Sequence, residues 1–102
     1  MGRYEKLRKC VRAEVRYYFR QVIHRKVIVK THKVYFDRHK VGGLSLRIEY
    51  RDLDYVSGAT IEFLQDVFGM WWWMACVEKG RLVLYCEIYF ENLPKDKKSG
   101  IM

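Results

Sequence analysis

The stretch MWWWMACVEKGRLVLYCEIYF, residues 70–90, decides the fold. Two runs rich in aromatic, branched and sulfur-bearing side chains flank Glu78-Lys79-Gly80. A Gly in third place is the signal of a three-residue loop, a type I turn closed by a bulge at positive φ. That loop sets Val77 opposite Arg81, Met74 opposite Leu84, Trp72 opposite Cys86 and Met70 opposite Ile88. Side chains alternate along a strand, so Met70, Trp72, Met74, Cys76, Leu82, Leu84, Cys86 and Ile88 share one apolar face, which reads as core. The other face carries Trp71, Trp73, Ala75, Val83, Tyr85 and Tyr89, broken only by Arg81 and Glu87. A sheet with one wet side shows polar residues there. This pattern predicts a second apolar face that something must cover: the first half of the chain, a second copy or a partner. A one-residue slip of register exchanges the two faces.

Working outward, residues 4–22 read as an amphipathic helix. Tyr4, Leu7, Val11, Val15, Tyr18 and Val22 recur at spacings of three and four and form its apolar stripe. Lys9, Arg12, Arg16 and Arg20 form a second stripe on roughly the opposite side. Gln21 to Asp37 turns β-branched and alternating, giving one or two strands with a break near Thr31-His32-Lys33. RHKVGG (38–43) reads as a loop with Gly42-Gly43 as its turn. Leu44 to Tyr50 alternates cleanly, with Leu44, Leu46, Ile48 and Tyr50 inward and Ser45, Arg47 and Glu49 outward. Ser57 is placed to cap a short helix over about 59–68, and Gly69 to stop it in a left-handed conformation. Residues 94–102 read as a mobile tail.

The order helix, strand, strand therefore occurs twice. LSLRIEYRDL (44–53) lies over LYCEIYFENL (84–93) at an offset of 40, with Leu44/Leu84, Ile48/Ile88 and Leu53/Leu93 identical. AEVRYYFRQV (13–22) lies over ATIEFLQDVF (59–68) at an offset of 46. An isolated hairpin is marginal in water, so two such units must pack together. The expected fold is α+β: one domain over 1–93, built from two tandem helix–strand–strand units, about 4–53 and about 57–93. The expectation is an internal duplication packed with pseudo-twofold symmetry and a groove where the units meet. Such a groove leaves strand edges able to accept an extended peptide.

Composition narrows the classes. The 102 residues suffice for one real core, and half are hydrophobic, which excludes a disordered chain. No apolar run approaches the roughly 20 residues of a membrane helix. The opening MGRYEKLRK lacks the apolar stretch of a signal peptide, so the chain is expected to stay in the cytoplasm. Net charge is +8, but unevenly spread: residues 1–51 hold fifteen Lys and Arg against four Asp and Glu, and residues 52–102 hold five against eight. The first half is thus +11 and the second −3, a pattern that suits a polyanionic partner or association between copies. Asn occurs once and Gln twice among many charged residues, the composition of a thermophilic protein.

In length, basic composition and its two weakly similar halves, the chain resembles small proteins of crenarchaeal filamentous viruses of the Acidianus filamentous virus type. The paired segments LSLRIEYRDL and LYCEIYFENL and the Trp-rich hairpin carry the resemblance. It implies a viral protein working in the cytoplasm of an archaeal host from a hot, acidic habitat. It supplies no catalytic or binding residues.

The residues point away from catalysis. His24, His32 and His39 are separated by seven and six residues and sit among Arg and Lys, without the close pairs of a zinc site. Cys10, Cys76 and Cys86 form no framework and read as small buried hydrophobes. Glu49, Asp52 and Asp54 are the one carboxylate group a Mg²⁺-dependent nuclease would use, yet Asp before a helix has capping and turn roles of its own. No cofactor or metal is expected. The leading reading is a non-catalytic interaction module that binds a protein or peptide through an aromatic surface, Trp71, Trp73, Tyr85 and Tyr89, or through the groove between the units. A homodimer through the same face is a further outcome. The alternative is sequence-independent nucleic-acid binding through Lys9, Arg12, Arg16 and Arg20, which span roughly 16 Å of helix.

Overall fold

Three places where the backbone leaves the right-handed region set the architecture: His24 with φ 60°, Gly69 with φ 65°, and the pair Lys79 and Gly80 with φ 54° and 75°. Each ends one element and starts the next. The computed structural model describes residues 3–36 and 41–89. Within them run α1 (Arg3–Tyr18), a π-helical turn (Phe19–Ile23), β1 (Val27–Phe36), β2 (Val41–Tyr50), α2 (Gly58–Phe68), β3 (Met70–Glu78) and β4 (Arg81–Tyr89). The expected tail, residues 38–40 with His39, and the side chains of Tyr4, Trp71 and Tyr89 lie outside the described residues.

The protein is α+β, two helices against one four-stranded antiparallel sheet in the order β1-β2-β4-β3. The helices cover one face. Leu7, Val11, Val15 and Phe19 of α1 and its π turn, and Leu64 and Phe68 of α2, are buried with Val29, Leu44, Leu46, Ile48, Tyr50, Leu82, Leu84, Cys86 and Ile88. The inward set expected for residues 44–50 is therefore the observed one. Ser57 caps α2 by accepting a hydrogen bond from the Thr60 N–H at 3.2 Å, and the Gly69 N–H closes the helix on Gln65 O at 3.0 Å. Tyr18 stacks on Phe63 with ring centroids 3.8 Å apart and donates to Ala59 O, which ties the helices over the β2–β4 pair.

The hairpin register differs from expectation. Glu78 opposes Arg81, so the loop is two residues long, Lys79-Gly80. Both residues have positive φ, the type I′ turn whose twist matches that of the flanking strands. Dropping one residue from the loop shifts β3 by one against β4. Trp73 now opposes Cys86 and Ala75 opposes Leu84, whereas Met74 opposes Tyr85 and Cys76 opposes Val83. Trp72, Met74 and Cys76 therefore leave the expected core face. An irregularity between Met70 and Trp72 restores the phase, so Met70 opposes Ile88 as expected and is buried.

The hairpin part of the second face is apolar as expected, but through Trp72, Met74 and Cys76 of β3 instead of Trp73 and Ala75; the charge on that face comes from β2. The β2–β4 pairing sets Arg47 beside Tyr85 and Glu49 beside Val83, so the charged side of β2 fills the middle of that face. Two smaller expectations also change. Gly42 and Gly43 pair with Tyr35 and Val34 inside the β1–β2 ladder instead of forming the loop. In the first helix Phe19 follows Val15 on the buried stripe at a spacing of four, and the π turn that begins there, wider than an α turn, rotates Val22 to 57% exposure. Among the described residues no helix is long and apolar enough to cross a membrane.

Candidate nucleic-acid interface

The π turn aims the chain at the site. Both the His24 and Arg25 N–H groups donate to Phe19 O, and His24 takes the left-handed conformation that reverses the chain into β1. Arg25 is then fixed: its Nε donates to Asp54 Oδ2 at 2.7 Å and its Nη1 to His24 O at 3.2 Å. The hydrogen bond from Arg25, aided by the Tyr55 N–H, holds the Asp54 carboxyl below the usual carboxylate range. This tie docks the segment after β2 against the start of β1.

Beside it opens a cleft of about 620 Å³ at the end of the sheet where β1 begins and β2 ends. Six cationic side chains line it: Arg16 and Arg20 from the first helix, Arg25 and Lys26 from the turn into β1, Arg51 after β2, and Arg81 at the start of β4. Its apolar floor includes Val27 and Tyr50, whose ring meets Phe19 edge-on at 5.5 Å. Burial pushes the Tyr50 phenol up to about 12, so it stays neutral. The one carboxylate in the lining is Glu49. It is already taken, accepting from Arg47 Nε and lying 3.1 Å from Lys30 Nζ. The Arg47 hydrogen bond keeps Glu49 ionised, with its pKa lowered although burial opposes that. With Arg25 paired to Asp54, five cations remain: Arg16, Arg20, Lys26, Arg51 and Arg81. Among the described residues no carboxylate pairs with any of them.

The residues singled out from sequence divide. Arg16 and Arg20 line the cleft, whereas Lys9 is exposed and does not, and Arg12 is half-buried with its Nε buried and unpaired. The aromatic set does not form one surface. Trp73 lies on the helix side of the sheet, opposite Cys86, while Tyr85 lies on the other side, opposite Arg47 and Met74. Tyr85 is also engaged. Its hydroxyl donates to Glu78 and accepts from Arg47, whose guanidinium carbon sits 5.2 Å from the Tyr85 ring centroid. Arg47 Nη2 completes the cluster with Glu78 Oε1 at 2.6 Å. Hydrogen bonds from Tyr85 and Arg47 hold the Glu78 carboxyl below its ordinary value.

The seam between the two halves is closed by β2–β4 hydrogen bonding below and by the Tyr18–Phe63 stack above, instead of opening as a groove. Arg51 and Arg81 were not singled out from sequence. Their signal is the antiparallel β2–β4 pair, which brings the residue leaving β2 beside the residue entering β4. The fold and cleft thus define an α+β protein, helices on one face of an antiparallel sheet, with a cationic end. No family model, curated protein or solved structure matches the chain.

Proposed function

We propose that the protein binds nucleic acid through this cleft, tracking phosphates without reading sequence, and catalyses no reaction there. The observation that carries the proposal is the set of five cations, Arg16, Arg20, Lys26, Arg51 and Arg81, lining one cleft with no carboxylate partner among the described residues. Clustered Arg and Lys gain by releasing the counterions condensed on a phosphate backbone, and that term supplies affinity independent of base identity. The guanidinium fork suits bidentate contact with phosphate oxygens, and four of the five are Arg.

Binding of a labelled mixed-sequence oligonucleotide, single- and double-stranded, at low and at physiological salt tests the reading. Binding at low salt that falls steeply as salt rises supports it. Arg51→Gln/Arg81→Gln should weaken binding, while Lys6→Gln, on the first turns of α1, should not. Absence of binding at low salt sinks it.

We also infer that the two helix–strand–strand units are copies related by a twofold axis. The strand order β1-β2-β4-β3 reads the same when the units are exchanged. The sequence offset of 40 pairs Leu46 with Cys86, and these two are cross-strand partners at the middle of the β2–β4 ladder. A twofold axis through an antiparallel pair requires that coincidence. Equivalent units must be joinable in either order. A circular permutant carrying 57–93 before 4–53, joined by a copy of residues 51–57, should therefore fold with the same circular dichroism and cooperative melting. A permutant that stays unfolded counts against the duplication.

A further inference from the structure

The two edges of the sheet are unlike. β1 carries Lys30, His32 and Lys33, all exposed, the charged cover that commonly keeps an edge from adding strands. β3 carries no charge from Met70 to Val77 and, among the described residues, pairs with β4 alone. It is also uncovered on both faces, with Trp72 41%, Trp73 43%, Met74 45% and Val77 60% exposed. Large apolar side chains on both sides of an unpaired edge are what an interface leaves behind in a separated chain.

The hairpin loop says which backbone groups are free. In a two-residue hairpin the flanking residues, Glu78 and Arg81, form the first hydrogen-bonded pair, and the pattern then alternates. Cys76, Met74 and Trp72 therefore bond to β4, while Val77, Ala75 and Trp73 direct their N–H and C=O groups outward. The irregularity after Met70 and the turn at Lys79 bound this straight run, and Ala75 is its centre.

We propose that β3 pairs antiparallel with β3 of a second copy about a twofold axis at Ala75, giving a continuous eight-stranded sheet. This register engages all three outward residues: Ala75 meets the partner's Ala75, and Trp73 meets the partner's Val77. The small central residue lets each Trp lie across a shorter side chain. The self-complementary run, small Ala75 between Trp73 and Val77, fits a second copy, and the charge pattern leaves this edge as the one where two copies can approach. The chain is +8 and its first half +11, so copies repel through the β1 side, whereas β3 is uncharged and lies in the half that is −3. The proposal is independent of nucleic-acid binding.

The register makes a specific test. Met74 faces the partner's Cys76 as a non-hydrogen-bonded pair, with Cα atoms about 4.5 Å apart, inside the reach of a disulfide. With diamide as oxidant, Met74→Cys should form a chain-to-chain dimer on a non-reducing gel, and Met74→Cys/Cys76→Ser should not. Native chain in sedimentation equilibrium at micromolar concentration should have twice the mass of 12.4 kDa. Val77→Lys should return it to one, with unchanged circular dichroism. A monomeric native chain overturns the proposal and leaves the edge to a foreign strand. A Val77→Lys chain that remains dimeric places the interface elsewhere and also overturns it. Failure of the cross-link in a dimeric Met74→Cys chain overturns the register.

Discussion

If the cleft holds a phosphate backbone, the salt dependence of binding counts its cations. Five charges, Arg16, Arg20, Lys26, Arg51 and Arg81, line it with no carboxylate partner among the described residues. Full engagement of duplex DNA gives a slope of log K against log salt of about −4.5, at about −0.9 per neutralised phosphate. Raising salt fourfold, from about 50 to 200 mM, then weakens binding about 500-fold. Arg51→Gln/Arg81→Gln removes two of the five, and the same salt change should weaken the variant only about 40-fold. On single strands the wild-type slope softens to about −3.5, so the expected loss is about 100-fold. Glu49→Gln runs the other way. It removes the carboxylate of the lining and frees Lys30 and one arm of Arg47, so affinity should rise and the slope steepen by up to about one phosphate equivalent. Fluorescence anisotropy at four or five salt concentrations measures all four slopes. A wild-type slope shallower than about −2, or an Arg51→Gln/Arg81→Gln slope equal to wild type, refutes the cleft as a phosphate site. A fall in affinity for Glu49→Gln refutes the assignment of that carboxylate as an opposing charge.

The remaining predictions concern the scaffold. Phe19→Ala should cost about 3–5 kcal/mol because Phe19 is fully buried, whereas Val22→Ala, at a position 57% exposed, should stay within about 0.5 kcal/mol; equal costs in urea melts would mean the π turn is misphased. Asp54, Glu49 and Glu78 are held below the ordinary carboxylate pKa by Arg25, by Arg47, and by Tyr85 with Arg47. Their contribution is present above the ordinary value and lost as pH falls through the lowered ones. Tm should therefore be steady above about pH 5 and drop below about pH 4, and a flat profile through that range would contradict the pairings. Burial pushes Cys86 and Tyr50 each up to about 12, so their neutral forms stabilise the fold at moderate pH. That contribution is lost as pH rises from their ordinary values through about 12. A thiol reagent at mildly alkaline pH should label at most Cys10 and Cys76 of the native chain, and labelling of Cys86 without unfolding would contradict its burial.

What the sequence discloses depends on whether a feature is local. The amphipathic stripe of Leu7, Val11 and Val15, the alternation of Leu44 to Tyr50, the Ser57 cap and the Gly69 stop are each written within a few residues, and each is legible from those residues alone. The register of the Trp-rich hairpin is not. Glu78-Lys79-Gly80 suits a three-residue loop by composition, and only the positive φ of Lys79 as well as Gly80 makes it a two-residue one. Non-Gly residues rarely adopt that conformation, so composition favours the wrong loop. One residue of error moves Trp72 and Met74 onto the core face and Trp73 and Ala75 onto the other, although both faces of the hairpin stay largely apolar in either register. The charge on the second face lies outside the hairpin: Arg47 and Glu49 of β2 lie beside β4, and no pattern within residues 70–90 announces them. The cleft is half legible for the same reason. Arg16 and Arg20 stand on one helix stripe, but Arg51 and Arg81 join them only through the β2–β4 pairing.

The distribution of charge links the two surfaces. In the proposed function Lys26, at the start of β1, helps hold phosphate in the cleft, while Lys30 and Lys33 along the strand keep its edge from adding another. The cost of an open, apolar edge therefore falls entirely on β3, at the opposite side of the sheet. A twofold axis perpendicular to the sheet at Ala75 leaves the β1 edges outermost, so strand pairing covers neither cleft. It sends the two clefts to opposite ends of the joined sheet, because β2 runs in opposite directions in the two copies. Substitutions at Arg51 and Arg81 should then alter salt dependence without altering mass. Val77→Lys should alter mass without altering the affinity of an oligonucleotide too short to reach both clefts. The two surfaces are separable because β1 and β3 are the outer strands of one sheet, with β2 and β4 between them.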